Sequence, residues 1–151
     1  MSEVDQSMTN PAAHRATYTA GVNESLDSFN DDSMMPKPIS PRMHAALDYG
    51  VAATFFGAGA IMMSRNRRAG TLAMINGAMV LVMSLFTDYP GGVWPRLSFK
   101  THRTGDIGQA LLAGLGPVMF GFAGEPEATF FHGQAASEVG VIMATDWDAA
   151  P

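Results

Sequence analysis

The chain has 151 residues, a net charge of −5 and no cysteine. Its negative charge argues against nucleic acid as a partner, and the lack of cysteine excludes disulfides, thiolate metal sites and cysteine nucleophiles. Polar residues dominate positions 1–42, whereas positions 43–151 are rich in apolar residues, so the two parts are considered separately.

Residues 1–42 form a polar, acidic segment rich in Ser, Asn, Asp, Thr and Pro. Its few apolar residues follow no period, and they are too few to offset the entropy lost on ordering the chain. No basic start followed by an apolar run marks a secretory signal. We expect this tail to be disordered or bound to a partner.

Residues 43–151 contain two long uncharged runs, 69–87 and 107–124, and each run is flanked by a weaker apolar stretch. A helix needs about 20 apolar residues to cross the hydrocarbon of a bilayer. We therefore predict an all-α membrane domain with four transmembrane helices, at Met43–Met63, Ala69–Thr87, Thr104–Phe122 and Ala128–Thr145.

The four predicted spans read as two duplicated helical hairpins. One ungapped shift of the chain against itself places His44 on His102 and Asp48 on Asp106, and the same shift aligns Thr87 with Thr145. We assign repeat 1 to about residues 43–89 and repeat 2 to about residues 101–147, because self-similarity at a fixed offset is the signature of an internal repeat.

Each repeat opens with a His-x-x-x-Asp pair, which a helix places on one face. His44 and Asp48 in the first repeat, with His102 and Asp106 in the second, are candidate ligands of one divalent metal, because imidazole and carboxylate together suit zinc, iron or manganese. The alternative is structural: each Asp pairs with a neighbouring cation or caps a helix end. Haem is disfavoured, because each histidine already has an aspartate one turn away.

Other polar residues also fall at or within the spans. Asp88 and Asp146 follow the second and fourth spans, at the same predicted membrane face as the His/Asp pairs. His132 and Glu138 lie in the fourth span, where ionisable residues are costly. We interpret these four as buried hydrogen-bonding groups or as parts of a proton relay.

The long loop before the third span mixes aromatic and basic residues, a composition typical of the headgroup boundary of a bilayer. We predict contacts there with lipid or with a partner, through Trp94, Arg96, Phe99, Lys100 and Arg103.

The motif His44-x-x-x-Asp48-x-Gly50, its copy His102-x-x-x-Asp106-x-Gly108, and the ends Leu85-Phe-Thr-Asp-Tyr89 and Thr145-Asp-Trp147 resemble those of SPW-repeat small bacterial integral membrane proteins. The resemblance covers about residues 43–147. Gly116-Pro117-Val118 stands where that family has its Ser-Pro-Trp tripeptide in the second repeat. The resemblance implies paired spans and carries no activity with it.

These features predict a multi-pass protein of the bacterial plasma membrane with a cytoplasmic amino terminus. We expect a structural or accessory subunit that packs against another membrane protein or another copy of itself. The alternative is a protein that binds a metal or handles protons or ions through the His44/Asp48 and His102/Asp106 pairs. No motif of a known catalytic class occurs, so an enzyme is not predicted, and no cofactor is predicted beyond the candidate divalent metal.

Overall fold

The computed structural model describes residues 36–150, and within that range it contains four α-helices and no strand. They are α1 (Pro41–Met62), α2 (Arg67–Phe86), α3 (Phe99–Met119) and α4 (Ala128–Ala144). The expectation of an all-helical protein with four helices is confirmed. The predicted tail lies outside the described residues as far as residue 35.

Serine caps fix the starts of α1 and α3. The Ser40 hydroxyl accepts a hydrogen bond from the Met43 amide at 3.3 Å, and the Ser98 hydroxyl accepts one from the Thr101 amide at 3.1 Å. Such caps satisfy amides that have no partner within the helix. Helix α3 therefore begins before the predicted Thr104, because the polar and basic residues after Ser98 form its first turn instead of belonging to the loop.

The helices pack as two hairpins, α1 on α2 and α3 on α4, and α2 also packs against α3. Small residues line much of the contact surface, including Ala52, Ala73 and Ala113. Their size lets the helices approach closely. The larger buried side chains, led by Phe55, Leu72 and Phe131, fill the space between the hairpins.

Large apolar side chains point outwards on all four helices. Exposed examples are Ile61 on α1, Val82 on α2, Leu111 and Val118 on α3, and Met143 on α4. Exposed apolar surface of this kind is typical of proteins that contact a partner or a membrane. The bundle thus presents large apolar residues on its outer surface as well as in its core.

Two helices, α1 and α2, are long and apolar enough to cross a membrane. Only 28% and 39% of their most apolar windows are buried, whereas the core helix of a protein in water is mostly buried. Helix α3 falls short of the same criterion, with Lys100, Arg103 and Asp106 in its first two turns, and α4 has 17 residues.

Two short backbone bridges close one end of the bundle. Ile39 pairs with Thr145 and Leu97 pairs with Thr87. The Ile39 amide donates to the Ala144 carbonyl at 3.1 Å, and the Leu97 amide donates to the Phe86 carbonyl at 2.9 Å. The two bridges are related by the same offset that aligns the two halves of the sequence. They hold the start of α1 beside the end of α4, and the start of α3 beside the end of α2.

At Gly70, the first turn of α2 passes so close to the end of α1 that no side chain fits. A Cβ there would lie 2.7 Å from the Met63 Cα. We expect Gly70→Ala to lower the free energy of unfolding by about 1–3 kcal/mol, because backbone must shift to make room. Thermal unfolding in detergent measures the loss.

Gly57→Ala is the matched control, since a Cβ at Gly57 meets nothing within 4 Å. Alanine is favoured over glycine in a helix by about 1 kcal/mol, so this variant should be as stable as the wild type or more stable. Equal stability of both variants would contradict the close approach at Gly70.

Candidate metal centre

The two His-x-x-x-Asp pairs converge at the bridged end of the bundle. His44 and Asp48 lie in the first two turns of α1, and His102 and Asp106 lie in the first two turns of α3. One ligand atom from each of the four residues lies within 4.8 Å of every other. Both histidines are fully buried, and the aspartates are mostly buried.

Each histidine contacts both aspartates, so the cluster joins the two hairpins. His44 Nε2 lies 3.4 Å from Asp48 Oδ1 and 3.1 Å from Asp106 Oδ2. His102 Nε2 lies 3.1 Å from Asp48 Oδ2 and 3.0 Å from Asp106 Oδ1. Each Asp does contact the His of its own helix, as the structural interpretation expects, and it also contacts the His of the other hairpin.

Two threonines determine how the imidazoles are oriented. The Thr145 hydroxyl donates to the Val141 carbonyl at 2.6 Å, and the Thr87 hydroxyl donates to the Met83 carbonyl at 2.7 Å. Since each hydroxyl has one hydrogen, its oxygen can only accept from the nearby imidazole. His44 Nδ1 lies 2.9 Å from Thr145 Oγ1, and His102 Nδ1 lies 2.7 Å from Thr87 Oγ1. Both Nδ1 atoms therefore carry hydrogen, and both Nε2 atoms face the carboxylates.

Three aromatic rings enclose the histidines. Trp147 lies 4.8 Å from the His44 ring and Tyr89 lies 5.4 Å from the His102 ring, measured between centroids, while Phe99 packs against both imidazoles. Phe99 is 5% exposed, so its prediction as an interfacial contact is wrong. The physical reason is the early start of α3, which places this residue in the first helical turn, facing the cluster.

Asp48 receives two further hydrogen bonds. The Tyr89 hydroxyl donates to Asp48 Oδ2 at 2.8 Å, and the Ser84 hydroxyl donates to the same oxygen at 3.4 Å. Burial, together with the negative charge of Asp48, raises the pKa of Tyr89 well above its usual value. The Tyr89 hydroxyl therefore stays protonated and donates its hydrogen bond to Asp48.

The cluster brings one ligand atom from each of its four residues within 4.8 Å of the others, so a small inward shift would let all four bind one divalent cation. The His–Asp contacts of 3.0–3.4 Å use both oxygens of each carboxylate. The same distances suit two protonated histidines paired with two carboxylates. The cluster can therefore hold a divalent cation, and without one it is an ion-pair network.

The remaining predicted polar residues do not join the four. Asp88 and His132 are exposed, and Asp146 is half-buried and accepts a hydrogen bond from the Asp148 amide. A relay between His132 and Glu138 is wrong, because only Glu138 faces the interior: its two carboxylate oxygens are buried, whereas His132 points outwards. Glu138 lines a pocket shared with His44, Asp48 and Asp106.

Four of the five residues predicted to contact the interface are exposed, as such a role requires: Trp94, Arg96, Lys100 and Arg103. Lys100 Nζ lies 2.6 Å from Asp148 Oδ1 and lowers the pKa of that carboxyl. What these residues contact beyond the chain remains a prediction.

Sequence reasoning placed no role on Thr87, Thr145, Tyr89 or Trp147 at the candidate site. Their alignment between the two predicted repeats was the available signal, since Thr87 aligns with Thr145 and Tyr89 with Trp147. The roles follow only from the fold, because each threonine contacts the histidine of the other hairpin.

No family model, curated protein or solved structure matches this chain. The fold and the site therefore define the class: an all-helical protein with two helices apolar enough to span a membrane and a buried cluster of two histidines and two aspartates able to hold a metal ion.

Tyr89→Phe should lower the free energy of unfolding by about 1–3 kcal/mol at neutral pH, because it removes a hydrogen bond to a buried carboxylate. Tyr89 has a raised pKa in the folded state, so its contribution is full below about pH 10 and falls as the pH rises further. Chemical unfolding at pH 7 and at increasing alkaline pH should show the difference between the wild type and the variant shrinking.

Tyr49→Phe is the control, because the Tyr49 hydroxyl donates to the exposed Gly91 carbonyl. It should lower the free energy of unfolding by less than the Tyr89 substitution does. If both substitutions have the same effect, the bond to Asp48 contributes nothing specific to stability.

Proposed function

We propose that this chain is a helical membrane protein that binds one divalent cation, zinc by preference, through His44, Asp48, His102 and Asp106. The observation that carries the proposal is the orientation of the imidazoles. Each Nδ1–H is held by a threonine, so each Nε2 faces the carboxylates, where it would bind a cation or, as His44 Nε2 does to Asp106 Oδ2 at 3.1 Å, donate a hydrogen bond. An outer partner that fixes the tautomer in this way is the usual support of a metal-ligating histidine.

The two histidines differ in how they approach the carboxylates: His44 Nε2 is hydrogen-bonded to Asp106 Oδ2, whereas the direction at His102 favours a cation. His102 Nε2 lies 3.0 and 3.1 Å from two carboxylate oxygens, but the angles are unsuitable for a hydrogen bond to either of them. A proton on this nitrogen would make no well-aligned hydrogen bond, whereas one cation placed between the four groups would interact with all of them. Two neutral histidines and two carboxylates also balance the charge of one divalent ion.

Zinc fits the donor set best. It accepts imidazole nitrogen and carboxylate oxygen in tetrahedral sites, and it needs no further ligands there. Manganese and iron accept the same atoms but prefer more ligands. Because the ligands come in equal number from both hairpins, the ion would join the hairpins and stabilise the bundle.

The outer surface supports residence in a membrane. Large apolar residues lie exposed on all four helices, and small residues line much of the contact surface between helices. We propose that all four helices span the bacterial plasma membrane, with the amino terminus in the cytoplasm and the duplicated hairpins of an SPW-repeat type protein. The backbone bridges and threonine contacts recur at equivalent positions of the two repeats, which supports the duplication. A role as an accessory subunit remains a prediction without a contact that favours it.

Membrane residence is tested by washing isolated membranes with alkaline carbonate. We expect the protein to stay in the pellet, because exposed apolar helices hold it in the bilayer after peripheral proteins are released. Release into the supernatant, together with a folded monomer in detergent-free buffer, would contradict this part of the proposal.

Metal binding is tested by elemental mass spectrometry of the purified protein. We expect about one zinc per chain, and at least tenfold lower occupancy in His102→Ala, which removes a ligand. Thr87→Val keeps all four ligands but frees the His102 imidazole, and it should weaken zinc binding roughly 10–100-fold.

His132→Ala is the control, because His132 is exposed and lies outside the cluster. It should retain the zinc of the wild type. A folded wild-type protein that takes up neither zinc, manganese nor iron when each is supplied would overturn the proposal, and the cluster would then be an ion-pair network.

A further inference from the structure

A polar pocket continues from the cluster towards the middle of the bundle. Its wall includes His44, Asp48 and Asp106 at one side, with Gln109 and Glu138 one to two turns deeper along α3 and α4. Apolar residues such as Val51, Val80 and Val141 complete the lining. The pocket thus joins the candidate metal centre to two further polar side chains.

The amide of Gln109 is oriented by a chain of hydrogen bonds. Asn76 Nδ2 donates to the Leu72 carbonyl at 2.8 Å, which leaves Asn76 Oδ1 as an acceptor. Gln109 Nε2 donates to that oxygen at 2.6 Å. Because a backbone carbonyl can only accept, this chain fixes both amides, and Gln109 Oε1 is left without a partner in a side chain that is 5% exposed.

Glu138 adds two more oxygens of the same kind. Both of its carboxylate oxygens are buried, and neither has a hydrogen-bond partner. Of the four buried side-chain polar atoms without a partner among residues 36–150, three are these oxygens and the fourth is His102 Nε2 in the cluster. A buried acceptor without a donor costs about 1–3 kcal/mol. The three oxygens belong to two residues that line one pocket, so a ligand that satisfies them would be stabilised there.

The ligand must be positive and must prefer oxygen. The unpaired atoms of the pocket are carboxylate and amide oxygens, which suit hard cations. If Asp48, Asp106 and Glu138 are all ionised, they carry three negative charges, of which a divalent ion in the cluster would neutralise two. One charge remains, and an unpaired charge is costly in a buried site.

We propose that this pocket binds a sodium ion through Glu138 and Gln109 Oε1, next to the metal centre. The inference rests on the proposed function, because the charge count includes the divalent ion. A proton on Glu138 would also neutralise the remaining charge, but it would supply a donor to at most one other oxygen. A sodium ion coordinates several oxygens at once, so it satisfies the whole set.

The test is binding of radioactive sodium to the zinc-loaded protein in detergent, with choline chloride keeping the ionic strength constant. We expect about one sodium per chain, a thermal midpoint that rises and saturates with sodium, and at least tenfold weaker binding in Glu138→Gln. The amide keeps the size of the side chain and removes its charge. Glu127→Gln is the matched control, since Glu127 lies at the other end of α4, and it should bind sodium like the wild type.

Zinc content is measured in the same samples, so the two proposals fail separately. Bound zinc without saturable sodium binding overturns the sodium site and leaves the metal centre in place. Sodium binding that is equal in Glu138→Gln and the wild type also overturns it. Retention of zinc by Glu138→Gln shows that this variant is folded, so a loss of sodium binding there supports the site.

Discussion

The bundle depends on pairing four ionisable side chains that each hairpin buries only in part. A helix supplies one histidine and one aspartate on one face, but a buried carboxylate with a single neutral neighbour is poorly compensated. Docking of the hairpins gives every histidine two carboxylates and gives each imidazole a threonine from the opposite hairpin. Neither hairpin completes the cluster alone, so the cluster determines which ends meet and in what register.

The cluster forms only if the helices approach one another closely, and the rest of the packing allows this. Alanine and glycine line the helix contacts, and at Gly70 even a Cβ is excluded by the backbone of α1. Helices associate in lipid by close packing and not by expelling water. The large apolar side chains are therefore available for the outer surface, where lipid would surround them. Two caps and two backbone bridges then hold the ends at which the cluster forms.

The spacing of His and Asp and the proposed repeat predicted much of this arrangement, because both are inferred directly from the order of the residues. The i,i+4 spacing places His44 and Asp48 on one face of any helix, and the repeat indicated an equivalent pair in α3. Whether the pairs meet is a long-range property, and it depends on threonines whose partners lie in the other hairpin. Phe99 was predicted wrongly from composition, which suggested a contact with lipid headgroups. The Ser98 cap starts the helix early, and the ring therefore faces inwards.

Glu138 was the hardest residue to interpret from the sequence, because its surroundings come from three other helices. Its position in α4 offered only His132 as a partner, and the two residues point to different sides. In the fold, the pocket brings it beside Asp48 of α1 and Gln109 of α3. Gln109 is in turn held by Asn76 of α2, so the position of its unpaired oxygen is set by a contact between two helices. Polar groups this deep are retained at a cost in stability, and the proposed ligand would offset that cost.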